Sequence, residues 1–390
     1  MIENLNNAAY VHSLAQLRGI KYQEIVEITD KFQTVDALVN SKSDLIFQRL
    51  GNQLGEKLDD IMKYYDFPKL LLHSKDILER QIRDSVLFTT IIDDNYPKLL
   101  KKINNPPLLL YYKGNISILN ERDSIAVIGT RNASSTGLNI ASIIAREFAE
   151  RGYIIVSGLA KGIDTAAHMG ALETNGYTAA VLGAPLDKIY PAENRPLVER
   201  ILSHNGVVLS ELGNGQVSFR GNFVQRDRIQ SGLSIGIIPV QTDVEGGTMH
   251  TVSFAFQQKR LIFCPRPPEK EMHLDQYAGI LSLIQEGKAK AFKYDEIQQV
   301  VDQLRKYRET LCSKSPQVNK SILSREFKVT QPSLPLMVDY INPSANNIAQ
   351  VKMDKIVESF HETGYDSDPI MFEKIINQLR NIFFADKDST

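Results

Sequence analysis

Short apolar segments alternate with longer segments of helical periodicity between residues 124 and 265, and this alternation constrains the fold more than any other feature. The predicted strands are 125–128, 153–156, 178–182, 207–209, 235–240 and 261–263. The predicted helices between them lie near 137–151, 164–175, 193–205, 224–232 and 248–259. Alternating strands and helices form parallel sheets with right-handed crossovers. We therefore expect an α/β fold with a doubly wound, Rossmann-like parallel sheet.

The segments on either side of this region predict helical domains at both ends of the chain. Helical spacing of apolar residues predicts a helical N-terminal domain over 1–82, and strands near 86–89 and 108–112 open a larger domain over 83–310. Residues 276–310 are expected to be helical. A polar segment with scattered prolines predicts a linker over 311–349, followed by a small helical region over 350–390.

Composition excludes several classes of protein. The 390 residues carry 45 basic and 46 acidic side chains, so overall charge does not indicate a protein that coats nucleic acid. No apolar run approaches the ~20 residues of a membrane helix, and the N-terminus lacks a secretory signal pattern. Two cysteines, Cys264 and Cys312, and seven scattered histidines predict neither a disulfide framework nor a metal site. We expect a cytoplasmic protein without metal or cofactor and without membrane contact.

Three loops rich in small residues leave the carboxyl ends of predicted strands, where open parallel sheets bind ligands. Each loop opens a helix, so its backbone N–H groups and the helix dipole favour an anion. Two loops also carry a cation, Arg131 and Lys161. No GxGxxG or GxxxxGK[ST] pattern occurs, which argues against a dinucleotide oxidoreductase and a P-loop ATPase. The residues predicted to bind phosphate are Gly129, Thr130, Ser157, Gly158, Gly162, Gly246, Gly247 and Thr248.

The segment 219–228, FRGNFVQRDR, adds three arginines and two phenylalanines to the same edge, in what we expect to be a loop after the fourth strand. Cations that hold the backbone and aromatic faces that stack on bases are the mixture that single-stranded nucleic acid requires. The alternative is structural: Phe219 and Phe223 would anchor the segment in the core, while Arg228 pairs with Glu211 or Asp227.

Candidate catalytic groups are few. Asp164 and His168 are spaced for an acid–base pair at a helix start, but no nucleophile accompanies them, and capping of the helix by Asp164 is the preferred interpretation. Glu245, before Gly246 and Gly247, is a better candidate for a catalytic carboxylate, although a single carboxylate carries little weight.

Several motifs, in order, resemble the DNA-processing protein A (DprA/Smf) family over roughly 85–268. They include GTR at 129–131, SGLAKGIDTAAH at 157–168, GAPLD at 183–187 with YP at 190–191, and NF at 222–223 with RDR at 226–228. The helical N-terminus resembles the sterile-alpha-motif-like domain of many members. The resemblance implies a non-enzymatic homodimer that binds single-stranded DNA and loads the RecA recombinase in natural transformation. It also implies a DNA pocket lined by Arg131, Lys161, Arg220 and Phe223, with Arg226 and Arg228 in the same motif.

The chain also departs from that family's pattern. Asp227 places an acid inside the cationic motif, Ala192 stands where a basic residue is common, and the loop 245–250 is less rich in serine and glycine. No winged-helix pattern is visible near the C-terminus, so a divergent role, including defence against phage, stays open. Two other functions also stay open: a nucleotide-sensing domain, and a nucleotide phosphoribohydrolase that uses Glu245.

Overall fold

The computed structural model describes residues 2–313, and within this range nine strands form one sheet in the order β1-β2-β6-β5-β4-β3-β7-β8-β9. The predicted region 350–390, and all of the predicted linker 311–349 beyond residue 313, lie outside the described residues. The strands are β1 Leu87–Thr90, β2 Leu109–Gly114, β3 Ser124–Ile128, β4 Ile154–Ser157, β5 Thr178–Leu182, β6 Val207–Ser210, β7 Gly236–Pro239, β8 Leu261–Pro265 and β9 Lys290–Phe292.

Thirteen α-helices occur in the same described range. They are α1 Ile2–Ala15, α2 Tyr22–Lys31, α3 Val35–Val39, α4 Ser43–Tyr64, α5 Phe67–Arg83, α6 Ile118–Glu121, α7 Ser135–Glu150, α8 Ile163–Glu173, α9 Arg195–Ser203, α10 Arg220–Leu233, α11 Thr248–Gln257, α12 Asp275–Gln285 and α13 Ile297–Ser313. Helix α4 is kinked at Gly51, whose φ of 75° lies outside the helical range.

The predicted doubly wound parallel sheet is confirmed for β3 to β9, since every neighbouring pair in that part of the sheet is parallel. The chain leaves β3 toward β4 on one side and later returns to β7 on the other side. This reversal puts a topological switch point between β3 and β7, and the crevice at the carboxyl ends of such strands is the usual ligand site. Strands β1 and β2 extend the sheet beyond β6 in antiparallel pairing.

The prediction of a helical segment over 276–310 was wrong in its middle part. Residues 276–310 were expected to be helical throughout, but α12 ends at Gln285 and a short ninth strand pairs with β8 before α13 begins. Gly287 adopts a φ of 67°, a left-handed conformation that suits glycine and redirects the chain after the helix. The apolar spacing of two short helices is continuous enough to hide the three-residue strand between them.

Alternate residues of each central strand pack on opposite faces of the sheet, as strand geometry requires. In β3, Ile125 and Val127 join a core with α7, α8 and α13, whereas Ala126 and Ile128 join a core with α10, α11 and α12. The fold is therefore a three-layer arrangement in which the carboxyl edge of the sheet is left to the loops. The N-terminal helix α1 packs mainly on α5 and also on β1; the boundary near residue 82 stays a prediction.

Candidate functional site

A shallow pocket of about 40 Å³ lies at the carboxyl ends of β3, β4 and β5, beside the first turns of α10. It brings together residues from four separate segments of the chain. Its lining consists of Arg131, Gly158, Ala160, Lys161, Tyr190, Pro191, Phe223 and Arg226. The pocket thus contains one small-residue loop, three basic side chains and two aromatic rings.

The loop between β4 and α8 forms one wall, and Asp164 holds its shape. The Asp164 carboxylate accepts hydrogen bonds from the backbone N–H groups of Gly158 (3.1 Å) and Ala160 (3.3 Å). The capping interpretation was wrong in its position, because Gly162 is the N-cap of α8 and Asp164 lies inside the helix. Burial raises the pKa of Asp164, and the nearby guanidinium of Arg226 opposes that shift. The hydrogen bonds of the Asp164 carboxylate therefore stabilise the conformation of the β4–α8 loop.

The loops after β3 and β4 approach each other closely at Gly162. This residue has a φ of 77°, and a Cβ atom on it would lie 2.5 Å from the carbonyl oxygen of Thr130 and 2.6 Å from that of Arg131. The backbone N–H of Thr130 in turn donates to the carbonyl of Gln241, just after β7 (2.8 Å). Three strand ends are thereby joined, and a side chain at Gly162 would force the Arg131 loop away.

Two of the predicted cations lie on the exposed rim of the pocket. Arg131 is exposed in the loop after β3. The Nζ atom of Lys161 lies 2.6 Å from Oε1 of Glu193, and both side chains are 58% exposed. An exposed ion pair of this kind is weak, typically ~0–1 kcal/mol, because water screens both charges. Both cations can consequently reach an anion in solution.

Two aromatic rings meet at the mouth of the pocket. The ring centroids of Tyr190 and Phe223 are 6.2 Å apart, with an interplanar angle of 73°. Tyr190 is 61% exposed, while Phe223 is half-buried and its backbone lies against Gly183, where a Cβ would be 2.8 Å from the Phe223 Cα. Tyr190 was not among the predicted site residues, although an aromatic residue shortly after the carboxyl end of β5 is a signal that could have identified it.

Arg226 forms the floor of the pocket and is largely buried. Its Nε donates to Oδ1 of Asp227 (3.0 Å), and its Nη1 donates to the carbonyls of Gly158 (2.9 Å) and Val181. Burial raises the pKa of Asp227 to about 6, against the opposing effect of Arg226. The guanidinium thus ties α10 to the ends of β4 and β5, and Asp227 is its partner rather than a free acid in the cationic motif.

Arg228 and Arg220 lie outside the pocket lining. Arg228 is buried, with Nη2 donating to Oε1 of Glu211 (2.6 Å) and Nε to the carbonyl of Asn105 (3.0 Å), so the structural alternative for Arg228 fits this geometry. Arg220 is exposed and is the first residue of α10. The helix predicted near 224–232 begins earlier, at Arg220, so within 219–228 only Phe219 precedes it, and the helix places Arg226 and Arg228 on different sides.

His168 is fully buried behind the β4–α8 loop. The hydroxyl of Thr178 donates to the carbonyl of Ile155 (2.6 Å), so the Nδ1 of His168, 2.6 Å from that hydroxyl oxygen, must carry the proton and donate. The Nε2 atom has no hydrogen-bond partner among the described residues. Burial lowers the pKa of His168 to about 3, with a further contribution from Arg226. A neutral buried histidine stabilises the packing of α8 on the sheet and does not supply an acid–base pair to the pocket.

The remaining predicted residues lie away from the pocket or serve the backbone. Ser157 is buried and its hydroxyl donates to the carbonyl of Val127 (2.7 Å). A Cβ atom on Gly129 would lie 2.5 Å from the side chain of Ile163, so a larger residue does not fit there. The loop of Glu245, Gly246 and Gly247 before Thr248 does not line the pocket, and Glu245 is exposed.

Residues 2–313 contain neither a candidate metal site nor a candidate membrane-spanning helix. No group of three or more potential metal-ligating side chains occurs there. No helix of that range is long and apolar enough to cross a membrane.

The chain is similar in sequence to curated proteins named Smf and DprA. The Smf protein of Synechocystis sp. is 38% identical over 218 residues, which cover 54% of this chain and 52% of that protein. The DNA processing protein DprA of Streptococcus pneumoniae is 40% identical over 174 residues, 45% of this chain and 61% of the relative. The match therefore spans about half to three fifths of the length of these relatives.

The fold and the family are supported independently. The X-ray structure of DNA processing protein A from Streptococcus pneumoniae superposes with a TM-score of 0.57 at 31% identity, covering 73% of this chain and 94% of that one. A family model described as DNA recombination-mediator protein A matches residues 87–305, more than half of the chain and all of the pocket. The chain belongs to the DNA recombination-mediator protein A family.

Proposed function

We propose that this protein binds single-stranded DNA at the carboxyl-edge pocket and acts in recombination by delivering the strand to a RecA-type recombinase. The observation that carries the proposal is the presence of two exposed cations, Arg131 and Lys161, and an exposed ring, Tyr190, around one pocket. Cations bind the phosphate backbone, and an exposed aromatic face stacks on a base irrespective of sequence. Bases in a duplex are already stacked and paired, so this arrangement favours an unpaired strand.

The pocket supports a polymer better than a small nucleotide. Pockets that enclose a ligand typically offer ~300–1,000 Å³, whereas this one offers about 40 Å³. That space accommodates a phosphate group while the rest of the strand continues over the surface. Glu245, the residue that a phosphoribohydrolase would use, is outside the lining. The nucleotide sensor and the hydrolase are therefore the less supported alternatives.

The proposal includes a non-enzymatic mediator that works in the cytoplasm as a homodimer, as the family resemblance implies. RecA loading and dimerisation are separate parts of it, and each has its own measurement. Acceleration of RecA filament assembly on single-stranded DNA tests the first, and the mass of the protein in solution tests the second. Neither result is needed for the DNA-binding part to hold.

The experiment that tests DNA binding is fluorescence anisotropy of a labelled oligonucleotide, single-stranded or annealed to its complement, over a range of salt concentrations. Two rim cations predict a log–log salt slope of about -1.4, from about -0.7 for each phosphate neutralised on a single strand. Equal affinity for the duplex, or an affinity that salt does not change, would contradict the proposal. A base-release assay on nucleoside monophosphates, run beside it, tests the hydrolase.

A further inference from the structure

The turn 190–194 is hydrogen-bonded to the pocket wall through Asn194. The side chain of Asn194 is buried, and its Nδ2 donates to the carbonyl of Leu159 (2.8 Å) and to the hydroxyl of Thr165 (2.9 Å). Pro191 is buried as well. Asn194 thus anchors the turn to the β4–α8 loop that carries Lys161 and to the first turn of α8. Tyr190, Ala192 and Glu193 of the turn are exposed; Tyr190 lines the pocket, and Glu193 pairs with Lys161.

Tyr190 offers more stacking surface than Phe223. Phe223 is half-buried at the start of α10, where Gly183 keeps its backbone in close contact with the end of β5. Tyr190 contacts Phe223 edge to face and is still 61% exposed. Phe223 therefore supports the Tyr190 ring, and the larger accessible aromatic surface at the pocket belongs to Tyr190.

Glu193 pairs with the rim cation Lys161. Its carboxylate oxygen is 2.6 Å from the Lys161 Nζ, which is the separation of a charge-assisted hydrogen bond. Both partners are more than half exposed, so water weakens the pair and an incoming phosphate can replace the carboxylate. Released Glu193 would then lie close to the bound strand and repel it.

Resting on the proposed function, we propose that the turn 190–193 forms a nucleotide subsite in which Tyr190 stacks on a base and Glu193 stands in for the adjacent phosphate at Lys161. The same turn thus carries Tyr190, which binds a base, and Glu193, which competes with a phosphate for Lys161. The turn keeps a cation in place while no strand is bound and lowers the affinity for any isolated anion. A strand that supplies a phosphate and a base together overcomes the competition.

The two side chains predict effects of opposite sign on DNA affinity. Tyr190→Leu removes the ring, and the dissociation constant for a single-stranded oligonucleotide should rise about 5- to 150-fold, the range that base–aromatic stacking provides. The conservative Tyr190→Phe variant keeps the ring and should recover most of that loss. Tyr64→Leu, at an exposed tyrosine on α4, is the matched control. Unchanged affinity in Tyr190→Leu would overturn the stacking role.

Glu193→Gln should bind the same oligonucleotide more tightly, by up to about fivefold, because the competing charge is gone. The salt slope should stay near about -1.4, since Lys161 already neutralises one phosphate in the wild type. Glu199→Gln on α9 removes the same charge from an exposed position and is the control. Equal tightening in both variants would mean a general charge effect and would overturn the role of Glu193.

The wild-type protein separates failure of this inference from failure of the proposed function. If the wild type does not bind single-stranded DNA, both fail. If the wild type binds with the expected salt slope, and Arg131→Ala weakens it, while Tyr190→Leu and Glu193→Gln behave like their controls, then the function holds and the subsite is wrong. Melting temperatures of all variants show that each one is folded.

Discussion

Arg131 and Arg226 line the same pocket, but they differ in exposure to solvent and in the hydrogen bonds that they form. Arg131 is exposed on the rim, whereas Arg226 lies on the floor, bound to Asp227 and to the carbonyls of Gly158 and Val181. The Nε and Nη1 groups of Arg226 already donate to these acceptors, so fewer of its five N–H groups are left for a ligand. Exposure and hydrogen bonding, and not the residue type, distinguish the cation proposed to bind a strand from the one that holds the site together.

The largest expected effect on stability concerns Arg226, on the floor of the pocket. Arg226→Ala should lower the free energy of unfolding by about 3–5 kcal/mol, because removing one partner leaves the Asp227 carboxyl and two carbonyls buried without their donor. Chemical denaturation measures this directly, with Arg131→Ala as the rim control. A stable Arg226→Ala protein that fails to bind DNA would show instead that Arg226 is a ligand group.

The dependence of the free energy of unfolding on pH tests two buried groups, His168 and Asp227. The pKa of His168 is lowered to about 3 by burial, below the ~6.5 of an unfolded chain, so its contribution to stability is present above about pH 6.5 and is lost as the pH falls. Between pH 7 and pH 5 the loss is about 2 kcal/mol. Asp227 acts in the opposite direction, since its raised pKa of about 6 means that the folded state takes up a proton first.

The measurement is urea unfolding at several pH values in the wild type and in His168→Asn. The variant should show a flatter loss of stability below about pH 6.5, the ordinary pKa of histidine, whatever its stability at neutral pH. Parallel curves for the two proteins would mean that His168 does not titrate between the folded and unfolded states, and the assignment of its neutral buried form would be wrong.

A smaller effect is expected from the rim. Arg131→Ala should weaken single-stranded DNA binding by about 1–2 kcal/mol and reduce the salt slope by about 0.7, with little change in stability, because the side chain is exposed. The loss should be similar for all base sequences, since a phosphate contact carries no base information. The matched control is Arg146→Ala. Arg146 lies on α7, ~16 Å by helical rise from Ser135, the first residue of that helix.

The smallest effect is expected at Glu245. Glu245→Gln should change both DNA affinity and stability by no more than about 0.5 kcal/mol, because the side chain is exposed and outside the pocket lining. The same oligonucleotide titration measures it. Base release by the wild type that disappears in this variant would favour the phosphoribohydrolase and would extend the functional rim beyond the pocket.

Sequence alone predicted the parallel sheet and placed Arg131 and Lys161 at its carboxyl edge, because both inferences depend on local patterns: apolar strands, helical periodicity, and small residues at strand ends. It could not distinguish the roles of Arg226 and Arg228. Their burial depends on the carbonyls of Val181 and Asn105, which are 45 and 123 positions away along the chain. The pairing of Lys161 with Glu193 was missed for the same reason, since it links two loops that only the folded sheet brings together.

The N-terminal helices share apolar core with the sheet, and this affects how the protein can be divided. Ala8 and Ala9 of α1 and Leu78 of α5 belong to the same buried cluster as Leu109 and Leu182 of the sheet. Cutting the chain at residue 82 would uncover that cluster, and a fragment that begins after the cut would present a new apolar surface to water. We expect the helices that share this cluster to melt together with the sheet in one cooperative transition.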